Sequence, residues 1–282
     1  MSTGIPRPLL DGLRFAESPR WRDGRLWFSD IFANRVMTVD ESGRAEVVVE
    51  FTQGERPSGL GFLPDGRLLI VNLSAPTILR LEPTGEVVVH ADLSELAVGG
   101  LNDMVVDDQA RAYVGSMGTH TNAETRPVDA DGVVILVEAD GRARVVAEHL
   151  DAPNGPALLD GGGTYVVAEF PAQRLTAYDR GADGSLSARR TWADLAPGSA
   201  DGIAADPAGG IWCASPWTFE VRRVFEGGAV TDVVDTDDRM PLACAVGGDD
   251  GRTLFVLSCV GGAEAIATRT CTSVIETVRL AP

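Results

Sequence analysis

Residues 58–72 read SGLGFLPDGRLLIVN, an apolar stretch followed by the turn Pro64-Asp65-Gly66 and then by a second, β-rich stretch. Two short runs of this kind on either side of a glycine-containing turn are typical of a β-hairpin. The phrase recurs five more times along the chain. The other copies are ESPRWRDGRLWFSD from Glu17, NDMVVDDQARAYVGS from Asn102, NGPALLDGGGTYVVAE from Asn154, DGIAADPAGGIWCAS from Asp201 and CAVGGDDGRTLFVLS from Cys244. The chain therefore consists of six equivalent units.

The spacing of the copies indicates the architecture. Successive copies begin ~40–50 residues apart, which is the length of one four-stranded blade of a β-propeller. Further β-rich runs follow each hairpin, and helix signals are nearly absent. We therefore predict an all-β chain that folds as one six-bladed β-propeller domain over residues 1–282.

The two ends of the chain are predicted to close the ring. The stretch PRPLLDGLRFAESP, before the first copy, resembles RVVAEHLDAPNGP, before the fourth, so it has the sequence of an outermost strand. The runs 254–257 and 273–280 would supply inner strands of the same blade. Pairing of the N-terminal strand with the C-terminal blade removes an open sheet edge, which would otherwise invite aggregation.

The charged residues exclude several classes of protein. All 24 basic residues are arginines, and the absence of lysine excludes Schiff-base enzymes, pyridoxal enzymes and P-loop nucleotide binders. The net charge of −17 argues against nucleic acid or an anionic membrane as a partner. We expect a small-molecule partner, and the oligomeric state is left open between a monomer and a small homo-oligomer.

The first residues of the chain and its cysteines indicate which cellular compartment to expect. The first residues lack the basic head and apolar segment of a signal peptide, and no apolar run approaches the ~20 residues of a membrane span. We therefore expect a soluble, cytoplasmic protein. The cysteines are scattered without a CxxC pair and are interpreted as reduced thiols, with a Cys259–Cys271 bridge as the alternative.

The first residue of each copy is the most informative feature of the repeat. The innermost strands of a propeller surround a central channel, so these residues are predicted to lie at one level at one mouth. They are Glu17, Ser58, Asn102, Asn154, Asp201 and Cys244. At any single position, Asn or Asp before Gly is explained by an ordinary turn. Four residues with low strand propensity at equivalent positions are not explained in this way and indicate a shared function.

Four of these residues are candidate ligands of a metal ion. Glu17, Asn102, Asn154 and Asp201 would bring oxygen donors together on the channel axis, which suits a hard divalent cation. Two buried carboxylates without such a cation would repel each other. The all-oxygen set favours Ca²⁺, with Mg²⁺, Mn²⁺ or Zn²⁺ as alternatives. Cys244 is interpreted as a small buried residue rather than a ligand.

The same mouth is predicted to bind the substrate. The longest insertion, residues 116–131, is polar, and loops of that length are often functional. Whether this loop is a lid is left open. The candidate substrate-binding residues are Asn102, Asp103, Met117, His120 and Trp217. Met104 and Phe219 either line the mouth or pack within the blades. No Gly-x-Ser-x-Gly elbow is present, so a serine hydrolase is not supported.

Four short motifs resemble those of one known family. They are Glu17-Ser18-Pro19-Arg20-Trp21, Leu101-Asn102-Asp103, Pro153-Asn154-Gly155 and Ala200-Asp201-Gly202. In this order and at blade spacing, they resemble the senescence marker protein, gluconolactonase and luciferin-regenerating enzyme family, over about Leu9 to Leu280. The resemblance implies a six-bladed propeller with a divalent metal in its channel and activity on sugar lactones. It also implies that Glu17, Asn154 and Asp201 are direct ligands, with Asn102 as a fourth ligand or a substrate contact.

Two positions depart from the family pattern. Members that act on sugar lactones carry Arg two residues before the Asn that matches Asn102, and this chain has Gly100 there. Without that arginine, the site has no guanidinium that can donate hydrogen bonds to sugar hydroxyls, which favours a less polar substrate. The family also usually has Pro where this chain has Ala200, which we interpret as a loop adjustment.

These observations lead to a mechanistic hypothesis. The chain is predicted to be a metal-dependent hydrolase that opens a small lactone, with the cation polarising the carbonyl and Asp201 accepting the proton of the attacking water. A hydroxide on the cation is the competing base. The alternatives are a phosphotriesterase on the same metal site and a non-catalytic calcium-binding propeller. Metal-free condensation, as in strictosidine-synthase-like propellers, is disfavoured by Glu17.

Overall fold

Six four-stranded antiparallel sheets make up the computed structural model, which describes residues 4–119 and 130–281. In five of the sheets the strands follow one another in chain order. The sixth sheet takes its fourth strand from the N-terminus. The prediction of an all-β, six-bladed propeller is confirmed.

The first three blades follow one another from the N-terminal side. Blade 1 contains β2 (Ala16–Arg22), β3 (Arg25–Asp30), β4 (Arg35–Val39) and β5 (Ala45–Glu50). Blade 2 contains β6 (Pro57–Phe62), β7 (Leu68–Asn72), β8 (Thr77–Leu81) and β9 (Val87–Asp92). Blade 3 contains β10 (Leu101–Val106), β11 (Ala112–Ser116), β12 (Gly132–Val137) and β13 (Ala143–Leu150).

The remaining blades complete the ring. Blade 4 contains β14 (Pro153–Leu159), β15 (Thr164–Glu169), β16 (Arg174–Arg180) and β17 (Leu186–Asp194). Blade 5 contains β18 (Ile203–Ala205), β19 (Ile211–Ser215), β20 (Glu220–Val224) and β21 (Val230–Asp235). Blade 6 contains β22 (Met240–Gly247), β23 (Thr253–Val260), β24 (Thr272–Arg279) and the N-terminal strand β1 (Arg7–Leu13).

The ring is closed by the two ends of the chain. Strand β1 pairs with β24, and the register places Arg7 opposite Thr277 and Leu13 opposite Ser273. The innermost strand β2 contacts both β6 and β22, so the first and last blades are neighbours. The predicted closure is therefore confirmed, and it leaves no unpaired edge at the chain ends.

Apolar clusters hold the blades together. One buried cluster lies at each of the six junctions between neighbouring blades. At the junction of blades 3 and 4, for example, the rings of Tyr113 and Tyr165 are 5.3 Å apart and both are fully buried. The second strand of each blade is buried on both faces because it packs against a neighbour on either side. In the sequence these strands therefore appear as continuous apolar runs rather than as alternating apolar and polar residues.

A short helix, α1 (Gly262–Ala267), lies between β23 and β24 and was not predicted. Its Ala265 and Ile266 pack on a small cluster that contains Cys259 and Cys271. A helix this short has no periodic signal in the sequence, and packing rather than propensity stabilises it. All four cysteines are buried free thiols, and burial raises the pKa of Cys259 to about 12.

Within residues 4–119 and 130–281, no helix has the length and hydropathy that crossing a bilayer requires.

Candidate functional site

The upper mouth of the channel is defined here as the end at which the innermost strands begin. At this end a polar residue closes the second strand in blades 1 to 5. Asp30 Oδ1 accepts hydrogen bonds from the backbone N–H groups of Arg14 and Phe15, at 2.9 Å each, just before β2 begins. Glu169 Oε2 accepts one from Asp151 N–H at 2.8 Å, just before β14.

The same arrangement recurs around the ring. The equivalent bonds are Arg56 N–H to Asn72 Oδ1 (3.4 Å), Val98 N–H to Ser116 Oγ (2.9 Å) and Ser199 N–H to Ser215 Oγ (3.0 Å). In five blades a side chain at the end of the second strand therefore fixes the point where the innermost strand starts. These side chains belong to the last residue of each of the first five repeat copies. The signal is present in the sequence, but the repeat alone does not indicate its role.

Bulges lie at the level where the site residues occur. The pairing of the innermost strand with the second strand shifts register between Glu17 and Arg20, between Leu101 and Met104, and between Pro153 and Pro156. Ser18, directly after Glu17, has a φ of 54°, which is unusual for a residue with a side chain. Bulges bend a strand and redirect its side chains, and they often occur next to functional sites.

The four predicted oxygen donors share one property. Glu17, Asn102, Asn154 and Asp201 are each partly exposed in otherwise buried segments. Ser58, at the corresponding position of blade 2, is only 2% exposed. The four donors are thus accessible from the channel, whereas the remaining inner-strand residues at this level are covered.

The acidic residues of the predicted site affect one another's pKa values, which places them near each other. Burial raises the pKa of Asp201 to about 7; the negative charge of Asp103 adds to this, and a hydrogen bond from the Asn154 amide opposes it. Burial is the main cause that raises the pKa of Glu17 well above its ordinary value, and repulsion from Asp201 raises it further. The N–H of Ser18 donates to Glu17 Oε2 at 2.8 Å. The structure therefore brings Glu17, Asn154 and Asp201 together in the channel.

Cys244 does not share this level, and the prediction was wrong on this point. Gly202 N–H donates to the Leu242 carbonyl at 2.7 Å, so the segment beside Asp201 is the one around Leu242. Cys244 lies two residues farther along β22, and its Sγ is 3.4 Å from the Trp212 carbonyl oxygen, at the junction of blades 5 and 6. The offset arises because the hairpin of β22 and β23, from the Pro241–Ser258 pair to the Gly247–Thr253 pair, is one residue longer on each strand than the hairpin of β6 and β7.

Loops of three neighbouring blades carry candidate pocket residues at the upper mouth. Trp217 is 43% exposed, and its ring meets that of Phe170 edge to face at 5.1 Å. Met117 is partly exposed, and its N–H donates to the Gly100 carbonyl at 2.8 Å. Met104 is fully buried in the junction of blades 2 and 3, so it packs within the blades. His120 lies outside the described residues.

Two glycines shape the rim next to Asn102. Gly99 and Gly118 form a parallel bridge, and a Cβ on Gly99, whose φ is 74°, would collide with the Gly118 carbonyl. Gly100 differs from Gly99, because a Cβ there would meet nothing within 4 Å. A Cβ therefore fits at Gly100 without moving its neighbours.

Asp103 has a partner that the sequence analysis did not foresee. Its Oδ1 accepts a hydrogen bond from Arg20 Nη2 at 2.8 Å, and the same nitrogen donates to the Met104 carbonyl at 2.6 Å. Asp103 is 6% exposed. Its carboxylate is thus engaged inside the channel. The only signal in the sequence was a basic residue within an innermost strand.

The residues present fit a divalent cation. In the described ranges no three His, Cys, Asp or Glu side chains are grouped as a metal site by themselves. The predicted donor set instead combines the carboxylates of Glu17 and Asp201 with the amides of Asn154 and Asn102. Buried carboxylates that resist ionisation, as the raised pKa values of Glu17 and Asp201 show, gain most from a bound cation.

Chelator-stripped protein should lose stability as the pH rises. The pKa of Asp201 is about 7 in the folded chain against 3.8 for the free group, so the folded state holds its proton more tightly. Stability contributed by this group is full below about pH 4 and is lost as the pH rises through 7. We expect the thermal midpoint of stripped protein to fall over this window, and added Ca²⁺ to remove the decline. Equal pH dependence with and without cation would contradict the prediction.

The fold defines a class, the six-bladed β-propellers, and in this chain partly exposed oxygen-bearing side chains lie near the start of four innermost strands. The chain belongs to the SMP-30/gluconolactonase/LRE-like family, whose model matches residues 15–260. It is 28% identical over 252 residues to a 6-deoxy-6-sulfogluconolactonase of Pseudomonas putida, covering 86% of this chain and 82% of that protein. It is 26% identical over 284 residues to a pentonolactonase of Haloferax volcanii, covering 93% and 88%.

Solved structures confirm the fold. A luciferin-regenerating enzyme superposes with a TM-score of 0.82 at 17% identity, covering 98% of this chain and 97% of that chain. At these identities the likeness shows the fold alone, and the chemistry has to be argued from the site.

Proposed function

We propose that this protein is a divalent-cation-dependent hydrolase that opens a small lactone. The observation that carries the proposal is the group formed by Glu17, Asn154 and Asp201, partly exposed oxygen donors that meet inside the channel. The family membership and two relatives named as lactonases support the same reaction class.

The proposed centre assigns each donor a task. Glu17, Asn154 and Asp201 would hold the cation, and Asn102 would act as a fourth donor or as a contact to the substrate. The cation would supply Lewis acidity toward the lactone carbonyl and toward the negative charge that develops on its oxygen. Ca²⁺ suits the all-oxygen donors, with Mg²⁺, Mn²⁺ and Zn²⁺ as alternatives.

Asp201 is the proposed proton carrier. It would accept a proton from the attacking water as the new C–O bond forms, and return it to the ring oxygen as the ring C–O bond breaks. The product is a hydroxy acid. Asn154 donates a hydrogen bond to Asp201 and so orients its carboxylate.

The pocket wall bears on the substrate. The Trp217 and Phe170 pair and the partly exposed Met117 would offer apolar surface at the upper mouth. Gly100 offers no side-chain donor. A lactone with fewer hydroxyl groups than a sugar lactone would suit these surroundings, because unpaired hydroxyls lose their hydrogen bonds to water on binding.

A substrate panel with controlled metal content tests the proposal. Purified protein is stripped with chelator, resupplied with Ca²⁺, Mg²⁺, Mn²⁺ or Zn²⁺ in turn, and assayed on γ- and δ-lactones and on an aryl phosphotriester. We expect lactone opening that disappears on stripping and returns with one of the ions. Turnover of the phosphotriester alone would favour phosphotriesterase activity. Calcium binding without any turnover would favour a non-catalytic propeller.

Gly100→Arg should shift the preference toward hydroxylated lactones. The new side chain enters open space beside Asn102, where its guanidinium can donate to sugar hydroxyls. A hydrogen bond to a charged group is worth enough to change the ratio of kcat/KM for glucono-δ-lactone over δ-valerolactone about tenfold. Ala229→Arg adds the same charge on the opposite face and should leave the ratio unchanged. A folded Gly100→Arg protein with the original ratio would rule out this role for the position.

A further inference from the structure

An arginine lies directly beneath the proposed cation centre. Arg20 belongs to β2 of blade 1, three residues after Glu17, and its guanidinium reaches across to β10 of blade 3. There it donates to Asp103 Oδ1 at 2.8 Å and to the Met104 carbonyl at 2.6 Å, while Nη1 donates to the Pro19 carbonyl at 2.8 Å. The guanidinium is therefore held at three points.

This contact divides the channel. A cavity of about 290 Å³ opens at the lower mouth, where the innermost strands end. Apart from Arg20 its walls are apolar or small, and they include Trp21, Val106, Leu158 and Val246. Arg20 lines this cavity and also binds Asp103, the neighbour of Asn102. The Arg20–Asp103 pair thus separates the lower cavity from the cation centre.

The charges around the centre balance only when Arg20 is counted. Glu17, Asp103 and Asp201 supply three carboxylates, and the Arg20 guanidinium, 2.8 Å from Asp103 Oδ1, supplies one positive charge. Three carboxylates and one guanidinium leave a double negative charge, which one divalent cation would neutralise.

We propose that Arg20 is a positioning residue that holds Asp103 out of the cation's coordination sphere and sets the charge of the centre. This assignment rests on the proposed cation site. Without Arg20, the Asp103 carboxylate would keep only the hydrogen bond from the Met104 N–H at 2.8 Å. It could then turn toward the cation as an extra ligand, and the centre would carry one more negative charge. The cation would then bind more tightly but would lose the open position that a substrate needs.

A charge-matched double-mutant cycle tests this role by calorimetric titration of stripped full-length protein with Ca²⁺. Arg20→Met should bind Ca²⁺ about tenfold more tightly than the parent, and Asp103→Asn about tenfold more weakly. The double variant restores the original charge and should return close to the parent affinity. Arg20→Lys keeps the charge and should also stay near the parent value.

Arg22→Met is the matched control. Arg22 lies on the same strand, and its partner Asp23 is 83% exposed, so its removal should change the Ca²⁺ affinity less than twofold. If the parent binds Ca²⁺ but Arg20→Met binds with the same affinity, the role of Arg20 is overturned while the cation centre stands. If the double variant stays as tight as Arg20→Met, charge is not the cause. A parent protein that binds none of the four cations overturns the cation centre and the role of Arg20 together.

Discussion

Replacing Asp201 by Asn should lower kcat/KM for the best lactone about 1,000-fold or more while the protein stays folded. The change removes one of the two carboxylates proposed to hold the cation, and it also removes the proposed proton carrier. The amide has nearly the same shape and keeps an oxygen that can accept the hydrogen bond from Asn154. The loss should appear in kcat at saturating substrate and cation.

Thermal unfolding in chelator separates this effect from misfolding. Burial and the charge of Asp103 raise the pKa of Asp201, so the charged carboxylate is a cost in the stripped protein. Asp201→Asn removes that cost, and its thermal midpoint at pH 8 should equal or exceed that of the parent. Asp237→Asn makes the same change at a carboxylate that is 76% exposed, and it should alter neither activity nor stability. Activity within tenfold of the parent would remove Asp201 from the mechanism.

Replacing Glu169 by Ala should lower the free energy of unfolding more than any other substitution considered for this chain. The Glu169 carboxylate is fully buried and binds Arg174 at 2.8 Å, Arg189 at 3.3 Å and the Thr176 hydroxyl at 2.5 Å. It also accepts the N–H of Asp151, which precedes β14. Removing one partner of a buried ion pair costs about 3–5 kcal/mol, and the partial exposure of both arginines places the expected loss near the lower end.

Denaturant titration and calorimetry measure this loss. A destabilisation of about 3 kcal/mol corresponds to a fall of about 6 °C in the thermal midpoint for a chain of this size. Glu169→Gln, which keeps the shape, should lose less. Glu46→Ala removes a carboxylate that is 63% exposed and faces Arg25 at 3.5 Å, so it should cost less than about 0.5 kcal/mol. A Glu169→Ala midpoint within 1 °C (about 0.5 kcal/mol) of the parent would show that the cluster is not structural.

The grouping of several candidate site residues could be predicted from the regular spacing of the repeat copies. In a ring of equivalent blades, the same place in each copy maps to the same height on the axis, so Glu17, Asn154 and Asp201 could be grouped without coordinates. The prediction failed for Cys244, because the hairpin of β22 and β23 is one residue longer on each strand than the hairpin of β6 and β7. The point at which a pair of strands stops pairing depends on both strands together, so an apolar run does not reveal it.

The number of blades, the strand content and the closure by β1 were determined by the sequence itself. They depend on local periodicity, turn residues and repeat length, all of which are properties of short segments. The presence of oxygen donors at the start of the innermost strands was likewise visible. Helix α1 was not, because six residues carry too little pattern to stand out.

Only the tertiary structure decided which side chains meet. The pairing of Arg20 with Asp103 joins residues of blades 1 and 3 across the channel, and no local pattern reports a contact over that sequence distance. The burial that raises the pKa values of Glu17 and Asp201 exists only once six blades surround them, because desolvation is produced by the whole ring rather than by neighbouring residues.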